Sequence, residues 1–250
     1  MTAQETGAAA GDRVAKVIAR AGICSRREAE KYIEQGRVTV NGETLDTPGV
    51  KVTASDDVRV DGERLPSLET ARLWLFNKPT GLITTHKDER GRPTVFDVLP
   101  KSLPRVISVG RLDLNSEGLL LFTNDGGLAR ELEHPSRGWT RRYRARVYGD
   151  VKEKMFEPLT RGATVEGVKY GAINVKLDNK PGVNTWLTVT LKEGKNREIR
   201  KVMEHVGLKV SRLIRTAYGP FQIGNLKIGV TKEVPKKVLK EQLGAAFPGS

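Results

Sequence analysis

The order of apolar and polar positions divides the chain into two stretches. Val14, Val17, Ile18 and Ala21 recur at helical spacing, which predicts a helix over 13–21 closed by Gly22. Ser25-Arg26-Arg27-Glu28 has the form of a capping box and predicts a second helix that stops at Gly36. Val38-Thr39-Val40 alternates as a strand and enters Asn41-Gly42, a hairpin signal. Val58-Arg59-Val60 repeats the strand pattern before Asp61-Gly62. Two short helices followed by a small sheet predict a compact unit over 12–62. Residues 63–71, with Pro66 and Ser67, read as a linker. Residues 1–11 are small and polar, lack the basic and apolar regions of a secretion signal, and read as a disordered tail.

The second stretch runs over 72–235. Leu73-Trp74-Leu75-Phe76 opens it as a buried strand, and Asn77 to Gly81 turns the chain. Residues 86–92 are polar and read as an exposed loop; 94–99 is a short helical segment ended by Pro100. Val106 to Val109 leads into a polar loop, Gly110 to Gly118, and Leu119 to Thr123 follows as a short buried strand. Leu128 to Glu133 reads as a helix stopped by Pro135. From Tyr143 to Tyr148 the alternation puts Tyr143, Ala145 and Val147 on one face and Arg144, Arg146 and Tyr148 on the other. Trp186 to Leu191 alternates again. Asn196 is placed to cap a helix over 197–206 whose core positions are Ile199, Val202, Met203 and Val206. Residues 210–215 and 221–223 read as strands, and 236–250 as a loose basic tail. Strands joined by short turns, with few helices, predict an α+β domain with a mixed, largely antiparallel sheet.

Composition adds a partner. Lys and Arg number 43 against 30 Asp and Glu, a net charge of +13 and a pI near 9.9, which favours a polyanion. No long apolar run or lipidation motif points to a membrane. The single cysteine, Cys24, excludes an intramolecular disulfide and suits a reducing cytoplasm. His86, His134 and His205 are not at metal-ligand spacing, and no phosphate loop or dinucleotide fingerprint occurs. The chain thus offers acids, bases, an aromatic and many cations, with no metal or nucleotide cofactor expected. Between Arg13 and Arg37 stand seven basic and three acidic residues. Arg26, Arg27 and Lys31, beside the amides of a helix start, would attract phosphate, or else form a solvated charged face. A second basic run, Arg137 to Arg146, holds five arginines and no acid.

Asp113 lies in the Gly110–Gly118 loop between Leu112 and Leu114, just before a buried strand that would hold it rigidly. Local sequence leaves it open whether Asp113 reacts or merely pairs with Arg111 or turns the backbone. Gly110-Arg111-Leu112-Asp113, then Glu117-Gly118-Leu119-Leu120-Leu121, then Thr123-Asn124-Asp125-Gly126, resembles the catalytic motif of the bacterial ribosomal-RNA pseudouridine synthases. Arg20-Ala21-Gly22-Ile23-Cys24-Ser25-Arg26-Arg27-Glu28-Ala29 and Gly36-Arg37-Val38-Thr39-Val40-Asn41-Gly42 resemble an S4 RNA-binding domain, which marks the branch of that family carrying one.

The resemblance implies a pseudouridine-synthase fold over 72–235 behind an S4 domain over 12–62. It implies isomerisation of a uridine by a catalytic aspartate, Asp113, without a cofactor. Tyr143 takes the place of the family's base-packing tyrosine; its ordinary alternative is a core tyrosine. Glu193-Gly194-Lys195-Asn196-Arg197-Glu198-Ile199-Arg200 resembles the family's third motif, assigning Ile199 to the base pocket and Arg200 to a contact with Asp113. Arg111 and Lys78 fall in motifs lining or supporting the site. Arg20, Arg26, Arg27, Lys31 and Arg37 are implied to contact RNA through the S4 domain. The segments 78–85, 90–100 and 210–215 resemble the B-type enzymes of the large ribosomal subunit most, implying a 23S rRNA stem-loop as target; a monomer is expected. The 16S rRNA enzymes share the architecture and are the alternative, as is a non-catalytic S4-type assembly protein. Whether the carboxylate attacks or removes a proton is left open by the sequence.

Overall fold

The computed structural model describes residues 11–178, 184–244 and 247; all but the last residue of the expected tail over 1–11 lies outside them. The chain divides after Thr70 into two compact units.

In the first unit, helices Val14–Arg20 and Arg26–Glu34 precede a four-stranded sheet of Val38–Val40, Glu43–Thr44, Val58–Val60 and Glu63–Arg64. The capping box forms as its residue types require: Ser25 Oγ accepts from the Glu28 amide at 3.2 Å, and Glu28 Oε2 accepts from the Ser25 amide at 2.8 Å. Val14, Ile18, Ala29, Ile33 and Val38 close a small core. Glu63–Arg64 pairs with Val58–Val60, so the sheet extends past Gly62.

The second unit is built on a nine-stranded mixed sheet. Its main order is Ile173–Leu177, Asn184–Leu191, Arg141–Tyr148, Lys209–Tyr218, Glu117–Thr123, Leu73–Lys78 and Thr231–Glu233. Only the pairing of Lys209–Tyr218 with Glu117–Thr123 is parallel among these. Leu73–Lys78 and Glu117–Thr123 are buried on both faces, which is why they read as continuous apolar runs. On one face Leu120, Phe122, Tyr143 and Val189 meet Ile199, Val202 and Met203 of the helix Glu198–His205. On the other, Leu119 and Leu121 meet Leu128 and Leu132 of the helix Gly126–Glu133.

Three local expectations are corrected. Asn77 and Lys78 belong to the strand, not to the turn. Asn196 does not cap the following helix: Arg197 occupies the cap position in a left-handed conformation, φ 51°, without a side-chain cap bond. The basic tail is not loose throughout, because Lys236–Leu243 is a helix whose Leu239 and Leu243, with Phe247, join the second core. Charge dominates the composition of that segment, and its sparse apolar positions fix it.

Candidate active site

The loop 110–117 is held by its carbonyl oxygens. Lys78, fully buried, donates through Nζ to the carbonyls of Pro79, Asp113 and Ser116 at 3.0, 3.1 and 2.9 Å. Thr84 Oγ1 donates to Leu112 O at 2.9 Å, the Gly81 amide to Leu114 O at 2.9 Å, and Arg200 Nη2 to Asn115 O at 2.8 Å. Nearly every turn of the loop therefore ends on a donor from another segment, which fixes the backbone carrying Asp113. Burial lowers the Lys78 ammonium to about 8, against an attraction to Asp113 and Glu117 that acts the other way.

Gly118, at the loop's end, allows a close approach. Its φ is +97°, and a Cβ there would collide with the backbone of Arg215 on the neighbouring strand.

A cavity of about 530 Å³ opens beside this loop, and Asp113, Arg111, Tyr143, Ile199, Arg197 and Arg215 are among its walls. The Asp113 side chain is one-third exposed, so a ligand can reach it. Tyr143 and Ile199 are buried and line the cavity, one from the strand Arg141–Tyr148 and one from the helix. The structure thus brings Asp113, Arg111, Tyr143 and Ile199 together.

It gives Arg200 no direct ion pair with Asp113, although the carboxylate still attracts its charge. Arg200 donates to Val210 O at 3.0 Å and to Asn115 O, tying the helix to the loop and to the strand Lys209–Tyr218. Arg197 is the cation that faces the carboxylate, with Nη1 at 3.8 Å from Asp113 Oδ2. The reason is the helix start: the left-handed Arg197 turns its side chain to the loop, while Arg200 sits a turn further on, half-buried. Lys78 is also corrected from a substrate contact to a support, since no part of it is accessible.

Three polar groups in the cavity wall were not anticipated. Arg215 is buried; its Nε donates to Leu119 O at 2.7 Å, and its Nη2 has no partner. Arg141 Nη2 donates to Tyr218 Oη at 2.9 Å, and its guanidinium lies 4.6 Å from the Tyr218 ring centre. Glu198 is buried, accepts from the Lys195 amide at 3.0 Å, and keeps Oε1 unpartnered; burial pushes its carboxyl upward. The available signal was a charge at an inward position, Arg215 on a strand and Glu198 on the helix's apolar stripe. Cations on the wall and an accessible carboxylate suit a ligand that carries phosphate and is worked on by an acid or base.

In the first unit, Arg20, Arg26, Arg27 and Lys31 are exposed. Arg37 is not available in the same way. It donates to both carboxylate oxygens of Asp61 at 2.7 and 2.6 Å, and lies 3.9 Å over the Tyr32 ring. That bidentate pair compensates much of its charge, so Arg37 offers RNA less than the four exposed cations do.

Residues 72–205 match the family model for RNA pseudouridylate synthase, and residues 12–58 match that for the S4 domain. An uncharacterized RNA pseudouridine synthase of Rickettsia felis is 48% identical over 92% of this chain and 99% of its own. The ribosomal large subunit pseudouridine synthase B of Salmonella typhimurium is 47% identical over 83% of this chain and 74% of its own. Among solved structures, a pseudouridylate synthase crystal structure aligns with a TM-score of 0.64 at 25% identity, covering 92% of this chain and 98% of the other.

Proposed function

The chain belongs to the RNA pseudouridylate synthase family and carries an S4 domain, and from that premise we propose that it isomerises a uridine of 23S ribosomal RNA with Asp113 as the reacting carboxylate. The observation that carries this reading is Asp113 itself: accessible, on a loop whose carbonyls are fixed from four directions, at the wall of a cavity sized for a nucleotide. The likeness to the Salmonella typhimurium pseudouridine synthase B supports the choice of 23S over 16S rRNA.

The reaction is balanced without oxidant or metal. The bond between the sugar C1′ and uracil N1 breaks, the base turns, and C1′ joins C5. The C5 proton is released and N1 gains one. Asp113 serves this step either by attacking the sugar or by removing a proton from it. Such a base must leave its stack to be reached. Tyr143 supplies the ring on which it rests, and Ile199 packs its edge. Arg111 and Arg197 face the phosphates on either side, while Arg20, Arg26, Arg27 and Lys31 hold the RNA through the S4 unit. Lys78 and Arg200 act through the loop rather than on the substrate.

Pseudouridine mapping of 23S and 16S rRNA from a strain lacking this chain, and from the same strain with it restored, tests the proposal. One 23S position should lose and regain the modification. A change confined to 16S rRNA moves the target to the small subunit, and no change in either rules out ribosomal RNA.

A further inference from the structure

The sheet of the second unit has an uncovered end. Over Ile173–Leu177, Asn184–Leu191, Arg141–Tyr148 and Lys209–Tyr218, the face carrying Tyr143, Ala145, Val189 and Leu213 is buried in the core that includes the cavity's apolar wall. The opposite face points away from the cavity, and its residues follow from the register. Asn174, Thr190 and Arg142 lie in one row, and Lys176, Thr188, Arg144 and Ile214 in the next. Trp186, Arg146 and Arg212 form a third.

This face has a composition that a solvated sheet does not need. Arg142, Arg144 and Arg146 stand at alternate positions of one strand, roughly 6.6–6.8 Å apart. With Lys176 and Arg212 they make five cations, against two carboxylates among the described residues that pair with them. Asp178 meets Arg144 at 3.1 Å, and Glu117 meets Arg212 at 2.8 Å. An aromatic lies among them: the guanidiniums of Arg144 and Arg146 are 4.7 and 6.0 Å from the ring centre of Trp186. Like charges at alternate positions of one strand raise the local positive potential, which a polyanion would share. A flat guanidinium laid on an aromatic ring is also a surface on which a base can stack.

We propose that this sheet face is a second RNA-binding surface, taking a single-stranded or loop segment of the substrate RNA outside the target nucleotide. Phosphates run along Arg142 and Arg146 towards Lys176, and bases rest on the Arg144–Trp186 stack. The inference rests on the chain being an RNA-modifying enzyme, and it deepens that reading by giving the RNA a path on the side of the sheet away from the reacting carboxylate. Charge decides for RNA over a second copy of this chain, because two copies would set the same cations against each other.

The experiment is filter binding of a 23S rRNA transcript to the full chain across a potassium chloride series, for the wild type and for the Arg142→Gln, Arg146→Gln, Lys176→Gln variant. Each phosphate contact contributes roughly 0.7–0.9 to the slope of log affinity against log salt. The variant should lose about two units of slope and bind at least about tenfold more weakly near physiological salt. Should it melt early, the pair Arg142→Gln, Lys176→Gln, both exposed positions, replaces it with about two-thirds of the change in slope. Acetylation of Lys176 is read alongside and should be blocked by the transcript. Unchanged slope, with Lys176 labelled equally with and without RNA, overturns the proposal. So does protection of Lys176 by self-association in the absence of RNA. Both readouts measure binding, so a failure of the 23S assignment, seen as absent pseudouridine, is told apart from a failure of this surface.

Discussion

Arg197 Nη1 stands 3.8 Å from Asp113 Oδ2, while Arg200, one helical turn on, holds the loop through the carbonyl of Asn115 at 2.8 Å. Arg197 therefore makes the direct ion pair, while Arg200 chiefly anchors the loop and adds a more distant attraction to the carboxylate.

The first prediction separates them. Arg197 is exposed and Asp113 partly so, so Arg197→Ala should leave stability within about 1 kcal/mol. It should slow the chemical step, with a smaller deficit in high salt where the pair is already screened. Arg200→Ala removes its hydrogen bonds to the carbonyls of Val210 and Asn115, at about 1–3 kcal/mol for a carbonyl that stays buried and unpaired. It should lower the melting temperature by several degrees and slow turnover at every salt concentration. Thermal melts and single-turnover rates for both variants check this; equal behaviour would contradict the division.

Lys78 gives a pH dependence. Its three acceptors need three N–H groups, which only the ammonium form supplies. As pH rises through about 8, the neutral amine leaves one carbonyl unpaired and the loop of Asp113 loosens. Turnover should fall on the alkaline side with a midpoint near that value. Global unfolding is not the cause. The folded value lies below that of a free lysine, so between about 8 and 10.5 the unfolded chain holds the proton more tightly. This group alone therefore makes the fold more stable as pH rises through that window. A pH–rate profile beside melts over the same range separates the effects. A melting temperature that falls in step with activity would refute this account of the alkaline limb.

Gly118→Ala tests the close approach of two strands. The added Cβ meets the Arg215 backbone at a φ of +97°, so both space and conformation oppose it. A destabilisation above about 3 kcal/mol is expected in denaturant titrations. A near-neutral change would mean that the strands can part without cost.

The S4 unit is tested through salt. Replacing Arg26, Arg27 and Lys31 by alanine should flatten the salt dependence of RNA binding by roughly one unit of slope for each phosphate no longer neutralised. Arg37→Ala should change it much less, because Asp61 already holds that guanidinium. An unchanged slope in the triple variant would make these residues a solvated face.

The sequence was most legible where local chemistry decides structure. The capping box at Ser25 forms as written, and the alternation over Tyr143–Val147 places Tyr143 inward. Asp113 and Tyr143 were found through motifs that hold their spacing, and the cavity unites them. What was missed is tertiary. Whether Arg197 or Arg200 faces the carboxylate depends on one left-handed residue at a helix start, which periodicity does not reveal. The burial of Lys78 depends on a loop arriving from 35 residues downstream. The closing helix Lys236–Leu243 escaped because its few apolar residues sit among lysines.

The most direct measurement is tritium release from a 23S rRNA transcript labelled at uracil C5, with wild-type chain and with Asp113→Asn. The substitution keeps the shape of the side chain and removes its charge. Wild-type chain should release tritium in proportion to one uridine per transcript. Asp113→Asn should release none while binding the transcript with nearly unchanged affinity, because one anion adds nothing to phosphate binding. Release by Asp113→Asn at the wild-type rate would contradict the assignment of Asp113 as the reacting carboxylate.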